Sequence, residues 1–272
     1  MRLVGGLLAA SHPVPTAVVT ILGVVLTVGA GASATTAALV GLAVLTGQLS
    51  VGLSNDWLDA QRDRAVGRRD KPVVAGTVPV ALVRAAALAA AAACAVASWA
   101  TGAVPGTLHV VAVASAWAYN LGLKRTAASW VSYGLSFGLL PAFLVTATGG
   151  GPPVALVVTG ALLGVGAHVA NVLPDLEDDA ATGVRGLPHR LGRRASSVLA
   201  PVLLAAGVGV VVGGLPGRSP AVLAAATAAG LLALAAGAAG LRRPDSRAPF
   251  TLSMGVAVVA VGLLVTAGGR LA

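Results

Sequence analysis

Nine residues of this chain carry a carboxylate, and eight of them fall in two short stretches. The first is Asn55-Asp56-Trp57-Leu58-Asp59-Ala60-Gln61-Arg62-Asp63, with Asp70 just beyond. The second is Asn171-Val172-Leu173-Pro174-Asp175-Leu176-Glu177-Asp178-Asp179. Both contain the frame Asn-x-x-x-Asp-x-x-x-Asp. On a helix, side chains at i, i+4 and i+8 stack on one face, so each frame predicts a carboxylate face. Mg²⁺ takes oxygen ligands, keeps several waters and usually links a few carboxylates to substrate phosphates. Two facing Asp pairs with cations nearby therefore suit a diphosphate. Asp59 and Asp63, with the amide oxygen of Asn55, are expected to hold one Mg²⁺, and Asp175 and Asp179 a second. These four aspartates are the candidate catalytic residues. Asp56 points away from that face by about 100° and is expected to cap a helix or reach a metal through water. Arg62, Arg68, Lys71, Lys124, Arg125 and Arg190 are candidates to meet the remaining phosphate charge. Metal and cations would together stabilise a leaving diphosphate. If that diphosphate leaves an allylic chain, a carbocation remains.

Each frame ends a long apolar run, and the runs define the class of protein. The chain is 57% hydrophobic and 10% charged, against about 25% charged in soluble domains. Runs of about 20 apolar residues can cross the hydrocarbon core. Nine are present, at roughly 14–33, 35–54, 80–101, 106–122, 127–148, 154–174, 195–214, 219–240 and 248–268. The expectation is an all-α, single-domain membrane bundle over 1–272, with nine transmembrane helices. Abundant Gly and Ala allow close helix packing in lipid. The two frame asparagines are 116 positions apart (55 to 171). That spacing suggests two copies of a four-helix unit plus one extra helix.

Charge placement predicts orientation. Sixteen of the eighteen basic residues fall on one side of this arrangement, from Arg2 to Arg247; only Arg218 and Arg270 fall on the other. The positive-inside rule then places the N-terminus and the Asp-rich loops, at about 55–78 and 175–194, in the cytoplasm of a cell-membrane protein. The short stretch before the first run carries Arg2 and reads as a cytoplasmic arm, with no cleavable signal. The opposite connections, Gly31 to Ala34, Thr101 to Gly106, Gly149 to Pro153 and Gly213 to Pro220, read as tight turns. The net charge of +9 follows topology rather than a solvated groove, so a nucleic-acid partner is not expected. Cys94 sits mid-helix in an Ala-rich run and reads as inert packing.

Simpler readings compete with the chemical ones. Single interfacial carboxylates are often solvated loop ends, and a cation-coupled transporter would also use carboxylates. Transporter groups, however, tend to lie at mid-membrane, whereas both frames close their helices at one surface. Trp57, Trp117, Tyr119, Trp130, Tyr133, Phe137 and Phe143 can shelter a cation through their π faces, or serve as packing and an interfacial belt. His168, three residues before Asn171, can face an acceptor or cation pocket together with Asn171, or pack between helices. His189 can touch diphosphate or lie exposed. His109 reads as structural.

The motifs together resemble the UbiA-type intramembrane prenyltransferases over essentially the whole chain. Asn55-Asp56-x-x-Asp59-x-x-x-Asp63 continues into Gly67-Arg68-Arg69-Asp70-Lys71-Pro72, similar to that family's basic tail. Asp175-x-x-x-Asp179 continues into Gly183-Val184-Arg185-Gly186-Leu187-Pro188-His189-Arg190-Leu191-Gly192, similar to its second tail. Between them, Tyr119-Asn120-Leu121-Gly122-Leu123-Lys124-Arg125 resembles its Tyr/Lys/Arg motif, with an interval between Tyr119 and Lys124 one residue longer than many aromatic prenyltransferases have. The resemblance implies nine helices and Mg²⁺-dependent transfer of a prenyl group from prenyl diphosphate to an aromatic or lipophilic acceptor. It also implies diphosphate contacts by Tyr119, Lys71 and Arg190. The same fold hosts terpene cyclases, which act on the prenyl diphosphate alone; a transport or non-catalytic protein is the reading from another class.

Overall fold

The computed structural model describes residues 2–151, 154–215, 217–243 and 245–266. Pro153, Pro216, Arg270 and the end of the ninth apolar run, all used in the topology reading, lie outside the described residues. Among the described residues every regular element is helical. The α-helices are α1 (Arg2–Ala10), α2 (Pro13–Gly29), α3 (Ala34–Leu58), α4 (Ala60–Ala65), α5 (Val80–Ala100), α6 (Ala103–Leu121), α7 (Ser129–Thr146), α8 (Val154–Val172), α9 (Leu176–Ala181), α10 (Leu187–Gly214), α11 (Pro220–Arg242) and α12 (Ala248–Thr266). Two 3₁₀ turns, Leu123–Arg125 and Leu173–Asp175, sit at the site end of the bundle.

The long helices fall where the apolar runs do. Local chemistry sets several starts: Ser33 and Ser219 accept hydrogen bonds from the backbone N–H of Thr36 and Val222, and Pro13 and Pro220 occupy first turns, where no N–H is needed. Among the described residues, seven helices are long and apolar enough to cross a membrane, or eight if α1 and α2 form one broken span bent by 63°. Helix α6 falls outside that set. The N-terminal stretch read as an arm is therefore helix α1, docked at an angle on α2.

The two Asp-rich segments are more helical than loop-like. The first frame runs off the end of α3 into α4 with the i→i−4 pattern intact: Asp59 N–H donates to Asn55 C=O and Asp63 N–H to Asp59 C=O, both at 2.9 Å. The second frame is not one continuous helix face. Pro174 has no N–H and its ring opposes the preceding turn, so Asn171 lies in the last turn of α8, Asp175 sits in a 3₁₀ turn and Asp179 lies on α9. Helix α10 starts at Leu187, earlier than expected, but breaks at Gly192 (φ 77°, ψ 167°) before the apolar part begins.

Small residues bring the helices close. A Cβ on Gly164 of α8 would lie 2.6 Å from Phe137 Cβ and 2.7 Å from the Tyr133 carbonyl of α7. Only glycine permits this approach, which sets Tyr133 and Phe137 against the face of α8 that carries His168. Apolar clusters fill the rest, one around Leu204, Val208, Ala233 and Val256 and another joining Ala10, Leu53, Val73, Val78 and Val83.

Candidate active site

The end of α3 supplies the first carboxylates. Asp59 and Asp63 are both buried. Lys124, itself buried, places Nζ 2.5 Å from Asp59 Oδ1. Arg62 places Nη2 3.1 Å from Asp59 Oδ2 and 3.6 Å from Asp63 Oδ1, and Nη1 3.5 Å from Asp179 Oδ1. Arg68 forks onto Asp70 at 3.0 and 3.1 Å and reaches Asp175 Oδ1 at 3.2 Å. The two frames thus face one another, tied by two arginines. Asn55 turns its amide nitrogen to Asp59 Oδ2 (3.1 Å) and to Asn120 Oδ1 (3.3 Å). Asn120 anchors this amide by donating to Ser54 Oγ and the Val51 carbonyl.

Electrostatics follow from burial and these pairs. Burial pushes the Lys124 ammonium below its ordinary range, and Asp59 beside it opposes the fall. Burial likewise raises the Asp63 carboxyl, while Lys71 and Arg62 pull it back. The Arg68 fork holds Asp70 below the usual carboxylate range. With desolvation this strong, carboxylates and cations stay charged only as partners.

The second tail closes the same end. Leu187 N–H donates to Ser129 Oγ at 2.9 Å. A Cβ on Gly186 would lie 2.8 Å from the Lys124 carbonyl, so this tail rests directly on the turn that carries Lys124. His189 places Nε2 3.5 Å from Asp179 Oδ2, in a buried ring whose nitrogens have no hydrogen-bond partner. Behind the acids lies an aromatic group. His168 stacks on Tyr133 at 4.6 Å, Tyr119 meets both rings edge-on at 5.3 and 5.5 Å, and Phe137 stacks on Tyr133 at 6.1 Å. His168 Nε2 lies 3.1 Å from Ser129 Oγ.

Most of the expected residues meet here, and some do not. Arg190 is exposed and donates to the Arg185 carbonyl at 3.0 Å; Arg125 is exposed beside Lys124. Asp56 is buried away from the acidic face, with Lys71 Nζ 2.6 Å and His12 Nε2 3.2 Å from its Oδ1. Trp57 and Trp117 pack edge-on, Trp130 is exposed, and Phe143 stacks on His109 next to Ser98. Two partners escaped the sequence reading. Asn120 lies inside the Tyr119–Lys124 motif, where its amide was a usable signal. His12 lies 44 positions from Asp56 and gave none.

Among the described residues no three His, Cys, Asp or Glu side chains converge closely enough to hold a metal unaided. The donor set nonetheless fits a hard cation. Asp59, Asp63 and Asp179 share one guanidinium, and all supply the carboxylate oxygens that Mg²⁺ prefers, with further ligands left to water and substrate.

Two opposed acidic frames at one end of a bundle of apolar helices define a carboxylate-lined site in an intramembrane protein. Residues 7–265 match the model of the UbiA prenyltransferase family, and the chain belongs to that family. It is an integral, multi-pass membrane prenyltransferase. It is 33% identical to the bacteriochlorophyll synthase 33 kDa chain of Cereibacter sphaeroides, over 82% of this chain and 78% of that one. The protein of the same name from Rhodobacter capsulatus is 27% identical over 82% and 79%. In fold it is similar to an apo UbiA homologue from Aeropyrum pernix K1, with TM-score 0.75 and 19% identity, covering 91% of this chain and 97% of that one. It is also similar to a UbiA homologue from Archaeoglobus fulgidus bound to GPP and Mg²⁺, with TM-score 0.71 and 17% identity over 98% and 99%.

Proposed function

We propose that this enzyme transfers a prenyl group from a prenyl diphosphate to a lipophilic ring acceptor, with Mg²⁺ as cofactor. The observation that carries the reading is Arg62, which spans Asp59, Asp63 and Asp179 while Lys124 holds Asp59 from the other side. Such a lattice of alternating charge is prepared for a polyanion. Asp59, Asp63, Asp175 and Asp179 would hold Mg²⁺, with Asn55 beside them if its amide turns over. The ion supplies positive charge to the leaving diphosphate. Arg62, Arg68 and Lys124 bind and orient that diphosphate, with Arg125 and Arg190 at the rim. Tyr119, packed edge-on against Tyr133 and His168, positions the reacting end of the chain. Tyr119, Tyr133 and Phe137 line the path of the allylic cation and exclude water from it. His168 and Asn171 face the acceptor.

The two relatives named as bacteriochlorophyll synthase support an acceptor of the tetrapyrrole class, and the Archaeoglobus fulgidus complex supports the pairing of prenyl diphosphate with Mg²⁺. We further read nine crossings, with α2, α3, α5, α6 and α7, α8, α10, α11 as two repeated units and α12 added, and the acidic end in the cytoplasm of the cell membrane. The purified protein in lipid nanodiscs, given Mg²⁺ and a panel of prenyl diphosphates with and without tetrapyrroles or lipid extract, should form a prenylated acceptor detectable by mass spectrometry. A cyclic hydrocarbon or alcohol formed without acceptor would instead identify a terpene cyclase. Uptake of prenyl diphosphate into proteoliposomes of the same protein, with no diphosphate released, would identify a transporter.

A further inference from the structure

His12 occupies the corner between α1 and α2. Among the described residues it is the non-glycine position with a positive φ (53°, ψ 66°). Histidine adopts left-handed backbone only where its surroundings over-determine it, and two features do so. Ser11 is buried and its carbonyl accepts from Thr16 Oγ1 at 2.9 Å. A Cβ on Gly52 of α3 would come within 2.6 Å of that carbonyl oxygen. The corner is thus seated against α3 one turn before Asp56.

From that seat the His12 ring reaches the first acidic motif. Its Nε2 is 3.2 Å from Asp56 Oδ1 and 3.4 Å from Lys71 Nζ, which itself lies 2.6 Å from the same oxygen. Lys71 is bound into one backbone turn with Arg68, whose carbonyl accepts from Lys71 N–H at 3.0 Å. Arg68 in turn reaches Asp175 of the second motif. Helix α1 covers the end of the same segment: Ala10 joins Val73 and Val78 in one buried cluster, and a Cβ on Gly6 would lie 3.1 Å from Val78 Cβ.

We propose that His12 is a positioning residue for prenyl transfer. Together with Asp56 it pins Lys71, and thereby holds the segment between α4 and α5 in the register that carries Arg68 to Asp175. A lysine is a point charge on a flexible stem, and one carboxylate oxygen alone leaves it free to swing. With Nε2 unprotonated, the His12 ring accepts from Lys71 Nζ and gives the ammonium a second anchor beside Asp56. The inference rests on the reading of Arg68 and Asp175 as diphosphate-site residues.

Two variants separate the side chain from the backbone. His12→Gly relieves the left-handed corner but deletes the ring; His12→Gln places an amide where Nε2 stood. His12→Gly should raise KM for prenyl diphosphate about tenfold, the size of one hydrogen bond to a charged group, with kcat little changed. His12→Gln should recover to within about threefold of wild type. A second readout does not depend on turnover. In ligand-free protein, trypsin should cut after Arg68 and Arg69 about threefold faster in His12→Gly, relative to cutting after Arg194. Wild-type KM together with unchanged cleavage in His12→Gly would overturn the proposal. If wild type itself fails to turn over prenyl diphosphates, the prenyl-transfer reading falls, and the cleavage comparison still decides whether His12 holds the segment.

Discussion

Arg62 of the first acidic frame reaches Asp179 of the second: Nη1 lies 3.5 Å from Asp179 Oδ1 while Nη2 lies 3.1 Å from Asp59 Oδ2. One guanidinium therefore joins carboxylates from the α3–α4 junction and α9 that are distant in sequence. Arg62→Ala should leave these acids with too little positive charge and weaken prenyl diphosphate binding by about a hundredfold, on the scale of a buried charged hydrogen-bond pair. Arg62→Lys should recover only part of this, because lysine lacks the planar fork. Steady-state KM for the diphosphate checks both, and a wild-type KM in Arg62→Ala would remove Arg62 from the site.

Lys124 and Asp59 are a buried pair, so breaking it from one side leaves an unmatched charge. Lys124→Met should destabilise the folded protein by about 3 kcal/mol and abolish turnover. The double variant Lys124→Met with Asp59→Asn removes both charges. It should regain most of the thermal stability in detergent while remaining inactive. Equal melting temperatures for the single and double variants would contradict the pairing.

The tail after the second frame distinguishes two neighbours. His189 is buried 3.5 Å from Asp179, while Arg190 is exposed and bonded to the Arg185 carbonyl. His189→Ala should lower kcat/KM by about tenfold, and Arg190→Ala by no more than about twofold, as for most surface substitutions. The reverse order would show that Arg190 swings inward when substrate binds.

How far the sequence carried this picture depends on the range of the interaction. The apolar runs located every long helix, because hydrophobic length is a local property. The two frames located Asp59, Asp63, Asp175 and Asp179 for the same reason. Pro174 bent the second frame out of a continuous helix face, a departure written in the sequence but outweighed by the spacing. What stayed hidden were contacts made by tertiary packing. Asp56 reads in the sequence as a helix cap or a water-linked metal ligand, yet the α1–α2 corner and the first basic tail bring His12 and Lys71 to it. Arg190 is one of several phosphate candidates in the sequence; in the fold it is exposed, and the turn entering α10 sends its neighbour His189 toward Asp179. Seating of the second tail on Ser129 and Lys124 depends on Gly186, which no local pattern announces.

Orientation is open to chemical labelling. With Cys94 replaced by Ala, single cysteines at the exposed positions Ala65 and Ala181 should resist a membrane-impermeant maleimide in intact cells. A cysteine at exposed Arg218 should react. Labelling at Ala65 or Ala181 from outside would contradict a cytoplasmic site.

The most direct test of the central claim is diphosphate release by the purified enzyme in nanodiscs with prenyl diphosphate and acceptor. Wild type should release diphosphate with Mg²⁺ and stop when EDTA is added. Asp59→Asn and Asp175→Asn should each reduce release by about a thousandfold or more, and the double variant should be scarcely worse, because groups that act as a unit are non-additive. Near-normal release in both single variants, or release unaffected by EDTA, would contradict a site built from two carboxylate frames around Mg²⁺.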